Sequence, residues 1–110
     1  MYYMIIHLIQ DSRLTEVLMA LTEVDAISVQ ILDSTSASKM FAFDVPIFAG
    51  FQEMFGNSEE QSKIILSFVP NADSVDEFIE TLKIASIDFI EDGVGDIFLL
   101  KLEKALIIDS

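Results

Sequence analysis

Tyr2-Tyr3-Met4-Ile5-Ile6-His7-Leu8-Ile9 is the stretch on which the fold turns. It is apolar at nearly every position and rich in Ile and aromatic residues, and it is too short for a buried helix, so it reads as a strand. A strand with one wet face alternates apolar and polar residues. This one does not, which predicts a strand covered on both faces.

Working outward, Asp11-Ser12 offers a helix N-cap. Leu14, Val17, Leu18 and Leu21 then recur on one helical face, with Glu16 and Glu23 off it, and the helix is expected to end near Val24-Asp25. From Ala26 to Leu32 the chain alternates, with Ile27, Val29 and Ile31 on one side and Ser28 and Gln30 on the other, which predicts a half-exposed strand. Ser62 to Val69 is a second two-sided strand, stopped by Pro70-Asn71-Ala72-Asp73. Ser74-Val75-Asp76-Glu77 has the spacing of a capping box, and Phe78, Ile79, Leu82 and Ala85 mark the buried face of the helix it opens. Ile97 to Leu100 is the last strand, which Leu102 and Ala105 to Ile108 extend or follow with a further short one.

The order is strand–helix–strand, connection, strand–helix–strand over residues 1–110, one domain by length. Two such units in tandem predict an α+β, ferredoxin-like βαββαβ sandwich: a four-stranded antiparallel sheet with two helices on one face. Two helices cover only one face of such a sheet, yet three of the strands read apolar on both. The second face therefore needs a partner, and a symmetric homo-oligomer is the expected one.

Residues 33–61 separate the second and third strands, where a hairpin needs only two to five residues. Of the nine phenylalanines, Phe41, Phe43, Phe48, Phe51 and Phe55 fall here, together with Met54. Phe41 to Val45 alternates like a strand. After Pro46, residues Ile47, Phe48, Phe51, Met54 and Phe55 follow helical spacing, weakened by Gly50 and ended by Gly56-Asn57. An aromatic and Met-rich helix either folds back onto the core or an oligomer interface, or docks in a partner's groove; peripheral membrane contact is a third reading, without the Lys and Arg such helices carry.

Charge excludes several functions. The chain has 6 basic and 19 acidic residues, a net −13, and would repel a nucleic-acid backbone or an anionic membrane surface. With no cysteine, thiol catalysis, thiolate metal sites and disulfides are out of reach. No apolar run approaches the length of a membrane helix, and Met1 to Ile5 lacks a basic lead and a cleavage site, so no membrane insertion and a cytoplasmic location are expected. His7 is the single histidine, and no nucleophile, base and orienter stand at a recognisable spacing, so no catalytic residues and no enzyme are expected. Asp88, Glu91, Asp92 and Asp96 surround Gly93 and Gly95. They are weak candidates for a hard cation, or an acidic solvated loop, and their spacing is not that of an EF-hand.

Arg13-Leu14-Thr15-Glu16-Val17 resembles the Lys-Leu-Asp-Glu-Val lead into the first helix of the PII family of nitrogen-regulatory signalling proteins, part of a wider group that includes the CutA branch. Gly93-Val94-Gly95-Asp96-Ile97-Phe98 resembles that family's Gly-Asp-Gly-Lys-Ile-Phe turn into the last strand. With the element order, the resemblance covers nearly the whole chain. It implies a homotrimer with sheets facing inward, and an effector loop at 33–61 that contacts a target enzyme, transporter or regulator, with Phe41, Phe43, Phe48, Phe51, Met54 and Phe55 as contact residues. It implies a nucleotide site between subunits, using the turn at Gly93 and Gly95 and nearby basic residues. The sequence departs from the family where cations are needed: the lysine after the second glycine is Asp96, and Ile107, Ile108, Asp109 and Ser110 stand where arginines follow the last strand. A polyphosphate there would meet carboxylates, so the residues argue against ATP or ADP and leave the cofactor unassigned. The family's modified loop tyrosine is also missing, since Tyr2 and Tyr3 both lie in the first strand.

Overall fold

A computed structural model describes residues 1–37 and 62–108. Strand β1 is Tyr2–Leu8, helix α1 is Leu14–Glu23, β2 is Ile27–Ser34, β3 is Ser62–Val69, helix α2 is Ser74–Ile84 and β4 is Gly95–Lys101. The four strands form one antiparallel sheet in the order β2-β3-β1-β4. The fold is thus α+β, with the apolar opening stretch as an inner strand, hydrogen-bonded on both edges.

Register divides the sheet into two faces, because directly opposed residues of antiparallel strands share a side. Met4, Ile6 and Leu8 pair with Ser67, Ile65 and Lys63 on β3, and with Leu99, Ile97 and Gly95 on β4. This face meets the helices: Val17, Ala20 and Leu21 of α1 and Phe78 and Leu82 of α2 bury themselves in one cluster with Met4, Ile6, Leu8, Ile65 and Val69. The other face carries Tyr3, Ile5 and His7, opposed by Phe68, Leu66 and Ile64 on β3 and by Leu100, Phe98 and Asp96 on β4.

Five local expectations fail. Asp11-Ser12 does not cap α1. Asp11–Arg13 is a 3-10 turn, and α1 starts at Leu14 with no side-chain cap bond. The capping box does not form either. Ser74 is already helical and fully buried, and Asn71 Oδ1 instead accepts from the Asp73 amide at 3.0 Å. In β2 the alternation breaks between Ile27 and Gln30, where Ser28 takes φ +52°. A bulge shifts the side-chain phase, so Ile27 opposes Phe68 on the open face while Ile31 opposes Ile65 on the helix side. Residues 102–108 form no strand: among the described residues their backbone makes one backbone bond, from the Leu102 amide to the Met1 carbonyl, and Leu106 and Ile108 are exposed. Ala85, placed on the buried face of α2, is exposed at its end.

The core also holds residues that the acidic composition of 86–96 conceals. Ile87, Phe89 and Val94 are all buried, and Phe89 meets Phe78 edge-to-face with ring centroids 5.8 Å apart.

Candidate functional site

The turn from α2 into β4 is built by backbone needs before any ligand is considered. Asp88 and Asp92 cap it reciprocally: Asp88 Oδ1 accepts from the Glu91 amide at 3.0 Å, and Asp92 Oδ2 accepts from the Asp88 amide at 3.0 Å. Gly93 closes the turn at φ +63°, a conformation other residues adopt at a cost. Gly95 has a different reason: a Cβ there would overlap the His7 carbonyl oxygen on β1. The turn is then tied to the end of β1, where the Ile9 amide donates to the Val94 carbonyl at 2.9 Å and Gln10 Nε2 donates to the Asp92 carbonyl at 2.7 Å. Gln10 is the residue that reading the sequence missed, because a lone glutamine after a strand carries no local signal.

Beside this turn lies an open cleft of about 590 Å³, within the size range of small-molecule sites. Ile9, Val75, Ile79, Phe89, Ile90 and Ile97 give it apolar walls, Gly93 and Gly95 leave its edge free of side chains, and of the two charged residues that border it, Asp76 and Asp96, the second turns its carboxylate away to the open sheet face. Gly93 and Gly95 thus border one cleft of the single chain. The proposed cation ligands do not converge: among the described residues, no group of three or more His, Cys, Asp or Glu side chains is placed to hold a metal ion. Asp88 and Asp92 accept the turn's amide bonds, and Asp96 points to the open sheet face, where its Oδ2 lies 3.6 Å from His7 Nδ1. The positions around that pair are Ile5, Ile64 and Phe98, none of which offers a nucleophile.

The open face itself is the second feature. Phe98 and Leu100 are half exposed there, Ile27 and Leu32 extend the apolar surface across β2, and Tyr3 packs against Phe68 with centroids 4.8 Å apart and the rings tilted by 56°. In a chain with net charge −13, the His7–Asp96 pair is the charge on this face among the described residues.

The third feature is the stem of the long connection. Ser34 ends β2 directly opposite Ser62, the first residue of β3; their hydroxyls share a hydrogen bond, and Ser62 Oγ is also 3.2 Å from the Ser34 carbonyl. One pair further in, Lys63 Nζ lies 2.7 Å from Asp33 Oδ1, and this hydrogen bond raises the lysine above its ordinary value of 10.5. The contact residues assigned to the connection, Phe41, Phe43, Phe48, Phe51, Met54 and Phe55, lie outside the described residues.

Among the described residues, no helix is long and apolar enough to cross a membrane. No family model and no curated protein matches the chain in sequence.

Proposed function

We propose that the chain is a PII-like regulatory protein of the ferredoxin-like βαββαβ type, which assembles as a homotrimer through its open sheet face and acts on a target protein through residues 33–61. The observation that carries this reading is the junction at Ser34 and Ser62. β2 and β3 are already neighbours, so a two-residue turn would close the sheet. The connection is therefore surplus to the fold, and long surplus loops on a rigid scaffold are where contact functions sit.

The strand order β2-β3-β1-β4, with both helices in one cluster, supports the ferredoxin-like description. The open face, apolar apart from the His7–Asp96 pair, supports burial against further copies, since broad exposed apolar patches mark interfaces. A cytoplasmic, non-enzymatic role is part of the same proposal. Deleting residues 40–56 tests it. The deletion variant is expected to keep the trimer mass in light scattering and to lose a specific target that the intact chain captures. An intact chain that is monomeric at micromolar concentration, or a target retained by the variant, would overturn it.

The cleft at Gly93 and Gly95 supports a second reading, a small-molecule sensor with its site beside β4; for a divalent cation, the other form of this reading, no group of three ligating side chains is found among the described residues. Nucleotide binding of the family type has no basic residue in that lining to support it. Thermal-shift screening separates the two readings, because a ligand that binds only the native state raises Tm.

A further inference from the structure

The open sheet face carries one charged interruption. His7 and Asp96 are directly opposed across β1 and β4, with Nδ1 and Oδ2 3.6 Å apart and both side chains open to solvent. That separation is too long for a strong hydrogen bond and short enough for an ion pair. The surroundings are apolar. On β3 the imidazole is opposed by Ile64, with Ser62 and Leu66 at the diagonals, and on β4 Phe98 follows Asp96 along the same face. Asp96 is thus the titratable group that faces His7 from the strands paired with it. Tyr3 and the amino group of Met1 lie toward the other end of β1, and the helices pack on the opposite face.

While the face is wet, water screens this pair and it contributes little. Covering the face removes the water, and a charge taken out of water is costly unless it is paired. Histidine is the side chain that ordinarily gains or loses its charge between pH 5 and 8, and His7 is the single histidine of the chain. With the imidazole protonated, each copy brings a pair of zero net charge to the interface. With it neutral, each copy brings the uncompensated carboxylate of Asp96, in a chain whose net charge of −13 already opposes association.

We infer that assembly through the open sheet face takes up protons at His7, so that the oligomer tightens as pH falls from 8 to 6 and loosens as it rises. The inference rests on the assembly reading above and adds its regulation. Proton affinity is higher in the assembled state than in the free chain. This contribution is therefore fully present below the free chain's titration range and is lost as pH rises through that of the oligomer.

The experiment is sedimentation velocity of the full chain over a concentration series at about pH 6, 7 and 8 and constant ionic strength. The association constant is expected to rise as pH falls, approaching about tenfold per pH unit for each proton taken up. His7→Gln is expected to weaken association and flatten its pH dependence, which separates this proton from that of the amino group. Asp96→Asn is expected to reverse the dependence, because an unpaired imidazole is buried more easily in its neutral form. The double variant, His7→Gln with Asp96→Asn, is expected to associate equally at all three values and at least as tightly as the parent near pH 6, with circular dichroism reporting the fold of each variant. An oligomer with the same association constant at all three values would overturn the coupling and leave the assembly reading standing. So would a His7→Gln chain that keeps the parent's dependence, or an Asp96→Asn chain that keeps its direction. If the parent and the double variant are monomeric at every pH, both readings fall.

Discussion

The two faces of one sheet differ more than any two elements of this chain. On the helix side, Met4, Ile6, Leu8 and Ile65 are completely shielded, and even Ser67 is buried among them. One residue along each strand, on the other side, Phe98 and Leu100 stand half exposed with nothing from the described chain above them. Both faces are apolar; only one is covered by the described residues. The difference teaches that the apolar content of β1 and β3 exceeds what the two helices can cover, and the excess has to be accounted for beyond them.

Substitutions on opposite faces make the comparison breakable. The largest effect belongs to the covered face: Phe78→Ala removes a fully buried ring that also meets Phe89, and is expected to cost about 3–5 kcal/mol in denaturant titration. Gly95→Ala comes next. Its Cβ must push β4 away from the His7 carbonyl, so a loss of about 1–3 kcal/mol is expected, whereas Gly93→Ala, strained only by its positive φ, is expected to lose about 1–2 kcal/mol. Phe98→Asp addresses the open face directly. Circular dichroism is expected to be unchanged and light scattering to show monomers; an unchanged mass would mean that this face is not the interface.

A smaller effect of opposite sign returns to the covered face. Ser67 Oγ is buried without a hydrogen-bond partner among the described residues, so Ser67→Ala is expected to stabilise by about 1 kcal/mol. The smallest concerns Lys63. Its folded-state value lies above 10.5, so its contribution is fully present below that pH and is lost as pH rises through the raised value. Lys63→Met is therefore expected to flatten the alkaline limb of stability against pH and to lower stability only slightly at neutral pH, because Asp33, its partner, is largely open to solvent.

Much of this contrast was legible in the residues. The two-sided composition of β1 and β3 announced the uncovered face, and the element order announced the α+β sheet. What was not legible was long-range. Ser74 and Glu77 have capping-box spacing, but tertiary packing buried Ser74 and left the capping bond to Asn71. The alternation of β2 was broken by a bulge at Ser28 that no turn residue signalled. Phe89 and Val94 were hidden inside an acidic stretch, where composition speaks of solvent and only the tertiary fold shows two core residues. At the candidate site, Gly93 and Gly95 were visible as a pair. The reasons for them were not: one answers to a turn and the other to a neighbouring strand.

The stem at Ser34 and Ser62 has a practical corollary. Closing a longer loop across fixed ends costs only about 0.6 kcal/mol for each doubling of its length. Because the two serines already hold those ends together, foreign sequence spliced between them should burden the sheet very little. The same port that would let evolution exchange one set of contacts for another offers a place to graft a reporter domain, an epitope or a designed binding peptide, displayed once per copy.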